Sequence, residues 1–147
     1  MSESSPAPQR LEQFFLLQAS LRPAAPALEL PPGSGRAARQ VLSYGRLAER
    51  AQDLADALAP LVAPRRPDRS PETDDQVGAR RSDEPGTAEA VVGIVLAREA
   101  LALYEAQLGV LMAGAAFGCL DPRQGDGSLR RFLEEMKPVA LLSDEAG

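Results

Sequence analysis

The chain has 147 residues, enough for one ordinary domain, and a formal net charge of −5. That balance argues against nucleic acid or an anionic membrane surface as a default partner. The absence of histidine excludes Ser-His-Asp and Cys-His nucleophilic sites and the commonest transition-metal sets, and a single cysteine excludes an internal disulfide.

The N-terminus, MSESSPAPQR, lacks the basic start and apolar core of a signal peptide. The longest apolar run, Leu108–Leu120, is too short for a bilayer and holds Gly109, Gly114 and Gly118. A reducing, cytoplasmic setting is the expectation. Residues 1–9 read as a frayed, polar end. Leu11–Leu21 reads as a helix with Leu11, Phe14, Phe15 and Leu17 grouped on one face, ended by Pro23 and Pro26. Ala27–Leu30 is a short strand. A loop over Pro31–Gln40, with Gly33 and Gly35, follows it.

Ser43 suits the N-cap of a helix from Tyr44 to about Leu58. Its apolar stripe is Leu47, Ala51, Leu54, Leu58 and Leu61, with Glu49, Arg50, Asp53 and Asp56 opposite. Residues 64–90 differ in kind: proline-bearing, charged with both signs and nearly free of large apolar side chains. That composition predicts a disordered linker. A real insertion and an intron read through would both look like this.

Val91–Leu96 is a β-branched run suited to a strand buried on both faces. Glu99–Ala113 reads as a helix with almost no polar face, stopped by Gly114, and Ala116–Leu120 returns as a strand. Asp126–Met136 reads as a helix with Leu129, Phe132, Leu133 and Met136 on its buried stripe. Pro138 ends it, and a strand follows at Val139–Leu142. The pattern predicts an α/β fold: a partial, mostly parallel sheet with flanking helices, preceded by a hairpin near 27–43. The predicted organisation is a first part over 10–63, the linker, and a βαβαβ part over 91–147.

Two motifs carry a family resemblance. Leu111–Pro122, LMAGAAFGCLDP, resembles the L-K-A-G-x-A-Y-V-P-L-D-P motif of adenylate-forming (AMP-binding) enzymes. Leu42–Leu47, LSYGRL, resembles the preceding L-S/T-Y-x-E-L motif, and the flanking helices and strands follow in the right order. Asp121 points to the amino-acid-adenylating domains of nonribosomal peptide synthetases. Arg46, Phe117 and Gly118-Cys119 depart from the pattern. Where the family places a capping-box glutamate, Arg46 cannot accept the N-cap amide's hydrogen bond.

The resemblance implies a full-length relative that uses ATP and Mg²⁺ to activate an amino acid or similar carboxylate and load it on a phosphopantetheine carrier. It also implies a Ser/Thr/Gly-rich loop ending in P-K-G, an aromatic-acidic segment near adenine, an Asp for the ribose and a catalytic lysine on a C-terminal domain. None of these motifs occurs in the sequence, and Lys137, the only lysine, has neither lysine context. No catalytic, cofactor-binding or metal residue is therefore assigned.

Other residues invite structural readings. Cys119 reads as an inert core thiol. Asp121 and Pro122 shape a turn beyond a strand's carboxyl end, although a carboxylate there can meet a ligand. Gly109, Gly114 and Gly118 are spaced for packing and turning rather than for a phosphate loop. The Arg65–Arg66 and Arg80–Arg81 pairs are offset by Asp74, Asp75, Asp83 and Glu84. Gly125–Gly127 with Ser128 reads as a turn into a helix cap.

The function predicted from sequence is the N-terminal portion of a carboxylate-adenylating enzyme, inactive alone. Its partner is then the remainder of the adenylation domain or a complementing subunit. The alternative is a non-catalytic interaction protein. A free-standing nucleotide-binding domain ranks last, because Ala97-Arg98-Glu99 follows the first parallel strand where a glycine-rich turn is needed.

Overall fold

The computed structural model describes residues 8–33, 35–63 and 89–144. The expectations for residues 1–7 and for 64–88, including both arginine pairs, lie outside those residues. Helix α1 spans Leu11–Leu21 and leads into strand β1, Pro26–Leu30, which pairs antiparallel with β2, Gln40–Ser43. Helix α2 follows at once, over Tyr44–Val62. Strand β3 (Val91–Val95), helix α3 (Leu101–Met112), strand β4 (Ala116–Leu120), a single 3-10 turn (Pro122–Gln124), helix α4 (Asp126–Met136) and strand β5 (Ala140–Ser143) complete the order. β3 lies between β4 and β5, parallel to both. The expected α/β architecture with a parallel sheet and a leading hairpin is observed.

The core forms where one face of β3 meets α2 and α3. Val92 and Ile94 are fully buried against Leu58, Leu103, Ala106 and Val110. Each large side chain so buried contributes roughly 1.5–3 kcal/mol. α3 packs along α2 through Gly109, where a Cβ would fall 3.0 Å from the Ala51 carbonyl oxygen and 2.9 Å from Leu54 Cδ2. The absence of a polar face on α3 is explained by its position: it touches the sheet, α1 and α2. On the sheet's other face α4 lies over β3 and β4, seated on Gly93 and Gly118.

α2 begins as expected. The Ser43 Oγ accepts from the Arg46 N–H at 3.3 Å, and the Tyr44 and Gly45 N–H groups donate to Ala25 and Pro23 carbonyls. Arg46 instead pairs with Glu49, 3.4 Å away on the same helix face. The helix runs past Leu58 through Pro60 to Val62, further than expected. Leu58 is buried and Val62 packs on the core, and that burial outweighs the donor Pro60 lacks. Leu61, assigned to the stripe from sequence, is exposed instead.

α1 also differs. Phe15 and Ala19 turn inward, and the Phe15 and Tyr44 rings stand 5.7 Å apart. Leu11, Phe14, Leu17 and Leu21 face outward, with Leu11 70% exposed. Apolar residues at four consecutive positions, Phe14 to Leu17, leave the sequence without a unique buried face. Gly114 takes φ +80°, as its stop role requires. Lys137 closes α4 with φ +43°, a left-handed position usually given to glycine. Among the described residues no helix is long and apolar enough to cross a membrane.

Candidate functional site

Parallel α/β sheets gather functional loops at the carboxyl ends of their strands. Here those ends carry Leu96–Ala100 after β3 and Asp121–Gly125 after β4. Asp121 caps the 3-10 turn: its Oδ1 accepts from the Arg123 N–H at 3.0 Å and from Arg123 Nε at 2.9 Å. Arg123 Nη2 reaches Asp121 Oδ2 at 2.6 Å, and its Nη1 and Nη2 donate to the two oxygens of Glu99 at 3.0 and 3.2 Å. From the hairpin loop, Arg36 Nη1 donates to the Glu99 carbonyl at 3.0 Å. One guanidinium thus ties the loop after β3 to the loop after β4, and a second ties the first loop to the hairpin.

The charges follow from this geometry. Side-chain hydrogen bonds from Arg123, joined by its backbone N–H, bring Asp121 from 3.8 down to about 2. Glu99 is lowered first by its own backbone N–H and then by Arg123. The two carboxylates raise the Arg123 pKa, Asp121 contributing most. Both acids are held ionised and engaged, so neither is poised as a proton donor or acceptor near neutrality. The arrangement is a clamp between loops.

The sequence singled out Asp121 and its turn, and the structure gives Asp121 the turn-shaping role. It missed Arg123, Glu99 and Arg36, which the fold assembles from distant positions. The only local signal is an arginine two residues after Asp121. Cys119 is exposed, contrary to the expectation of a core thiol, because among the described residues β4 is an edge strand. Its sulfur accepts from Gln107 Nε2 at 3.5 Å.

The three glycines do not converge on a site: Gly109 lies at the α2–α3 contact, Gly114 in a turn and Gly118 beneath α4. Gly125, with φ +85°, is itself the cap of α4, so that helix starts before Ser128. Lys137 sits at the other end of α4, beside a groove of about 620 Å³ bordered by Leu61, Val91 and Val139.

ATP and Mg²⁺ do not fit these residues. The residues after β3, Ala97-Arg98-Glu99, make no glycine-rich turn, and the positive-φ glycines Gly33, Gly35, Gly114 and Gly125 are spread over separate turns rather than gathered at one helix N-terminus. Among the described residues no group of three Asp, Glu, Cys or His side chains could hold an ion.

Comparison with solved structures identifies the fold. The chain aligns with the fatty acid AMP ligase from Legionella pneumophila over 92% of its own length and 19% of that chain, with TM-score 0.65 and 20% identity. It aligns with IdnL1 over 98% and 24% of the two chains, with TM-score 0.68 and 24% identity. It aligns with the nonribosomal peptide synthetase FmoA3 over 97% and 12%, with TM-score 0.63 and 24% identity. The chain has the fold of a portion of an adenylate-forming enzyme. It spans less than a quarter of each of these chains. No family model matches the chain, and no curated protein does.

Proposed function

We propose that the chain supplies the N-terminal portion of an ATP-dependent carboxylate-adenylating domain, of the kind that activates amino acids in nonribosomal peptide synthesis. It is inactive by itself, works in the cytoplasm, and depends on the remainder of the domain, continuous with it or supplied by a complementing subunit. The observation that carries this reading is the alignment of 92–98% of the chain to only 12–24% of adenylate-forming relatives. The motif residues agree with it: LSYGRL spans the β2–α2 junction, and LMAGAAFGCLDP runs from the end of α3 through β4 to the Asp121 turn. Adenylation requires groups that neutralise triphosphate charge and position Mg²⁺. This reading assigns them to the remainder of the domain, as it does the carrier that receives the product.

Sequencing the native transcript through and beyond the Gly147 codon, with the adjacent reading frames, tests this. The reading requires a Ser/Thr/Gly-rich loop ending in P-K-G, in the same frame or in a co-transcribed one. Its absence from both overturns the proposal.

A second reading, a non-catalytic interaction protein, is favoured by the outward apolar row Leu11, Phe14, Leu17 and Leu21 on α1.

A further inference from the structure

The β1–β2 hairpin forms a sheet separate from the parallel one. Its strands pack on α2, and its base is fixed there by the Tyr44 and Gly45 N–H groups, which donate to the Ala25 and Pro23 carbonyls. Between β1 and α3 runs an apolar groove of about 300 Å³, bordered by Leu28, Tyr44, Leu108, Leu111 and Phe117. Among the described residues the only hydrogen bond from the hairpin to any residue beyond α2 is the one that Arg36 Nη1 gives to the Glu99 carbonyl, 3.0 Å long. A two-stranded ribbon is marginally stable by itself. This one also shifts register between Pro26 and Leu28, which gives it a place to bend.

Glu99 is held from the other side. The Ala100 N–H donates to the Ala97 carbonyl at 3.0 Å, so Arg98 and Glu99 occupy the centre of a tight turn. The Glu99 carboxylate orients that turn by accepting from both Nη atoms of Arg123. Arg123 is itself anchored: its backbone N–H, Nε and Nη2 all donate to Asp121, whose side chain is only 9% exposed. Two-pronged contacts between guanidinium and carboxylate fix direction as well as charge. Arg36 and Arg123 thus share one residue, Arg36 holding its main chain and Arg123 its side chain.

We infer that Arg123, Glu99 and Arg36 form a strap between the β4 turn and the hairpin, and that this strap sets how far the hairpin stands from α3 and β4. Arg123 grips the Glu99 side chain, the grip orients the turn, and the turn presents the carbonyl on which Arg36 closes. Releasing Arg123 therefore loosens the hairpin at a distance, with no hairpin residue altered, and the groove beside β1 widens. Coupling of this kind requires side chains that belong to one hydrogen-bonded network, as these do. The competing account is a pair of unrelated surface contacts. Exposed ion pairs contribute little on their own, and in that account Arg36 and Arg123 act independently.

Spin labels on Cys119 and on Val41→Cys, both exposed positions, read the distance from β4 to the hairpin in the full chain by pulsed electron spin resonance. With the strap intact the distances should form one narrow distribution. Arg36→Gln and Arg123→Gln should each shift it to longer distances. Urea midpoints of the two single variants and the double variant complete a cycle. The double variant should lose less stability than the two single losses combined, by at least about threefold in the folding constant. No shift with either variant means that α2 alone holds the hairpin, and overturns the strap. A shift with only one of them, or losses that simply add, overturns the relay through Glu99. If Arg123→Gln does not fold, Arg123→Lys takes its place, since it keeps the charge, loses the fork and should give the same shift.

Discussion

Gly93 and Gly118 are register partners on adjacent parallel strands, and the ring of Phe132 lies against both. A Cβ at Gly93 would stand 3.0 Å from Phe132 Cε1 and 2.8 Å from Leu141 Cδ1, and one at Gly118 would stand 2.6 Å from Met136 Cε. The pair makes the floor on which α4 rests. Gly93→Ala should therefore destabilise the fold by about 1–3 kcal/mol through overpacking. Gly118→Ala should cost less, since the end of Met136 can swing aside. Urea unfolding midpoints at unchanged m-value measure both.

Gly109→Ala tests the α2–α3 contact. Alanine gains helix propensity of about 1 kcal/mol over glycine. Here its Cβ would press on a backbone oxygen, that of Ala51 at 3.0 Å, which cannot rotate away. The expected outcome is a net loss of stability. A rise in the unfolding midpoint would show that the helices separate readily.

Lys137 holds a left-handed C-cap without glycine's freedom. Lys137→Gly should stabilise the chain by about 1 kcal/mol, by relieving the backbone cost that a Cβ carries at positive φ. The Lys137 N–H bond to the Leu133 carbonyl, 3.0 Å long, is unaffected by the exchange. Thermal unfolding reads the difference.

Much of the fold was legible in the sequence because punctuation was local. Gly114 and Pro138 bracket the β4–α4 unit, and the observed bounds Ala116–Leu120 and Asp126–Met136 match the predicted ones. The exposure of Cys119 was not legible, since it depends on β4 lying at the edge, and strand order is a non-local property. Likewise, Arg36, Glu99 and Arg123 meet only once three loops converge. The outward row on α1 was hidden by apolar residues on every side of that helix.

The clamp has a pH signature. Folding lowers the pKa of Asp121 from 3.8 to about 2, so its contribution is complete above 3.8 and is lost as pH falls toward 2. An NMR titration should find its carboxyl midpoint near 2, and Arg123→Gln should return it toward 3.8. An unchanged midpoint in the variant would mean that Arg123 does not hold Asp121 in solution.

If this chain is one portion of an adenylating domain, adenylation requires both portions. The most direct test is ATP–pyrophosphate exchange across a panel of amino and carboxylic acids. The assay compares the chain alone, the P-K-G-bearing polypeptide alone, and the two together or joined. Exchange is expected only when both portions are present. Exchange by the chain alone, or none with both portions present and bound, would contradict it.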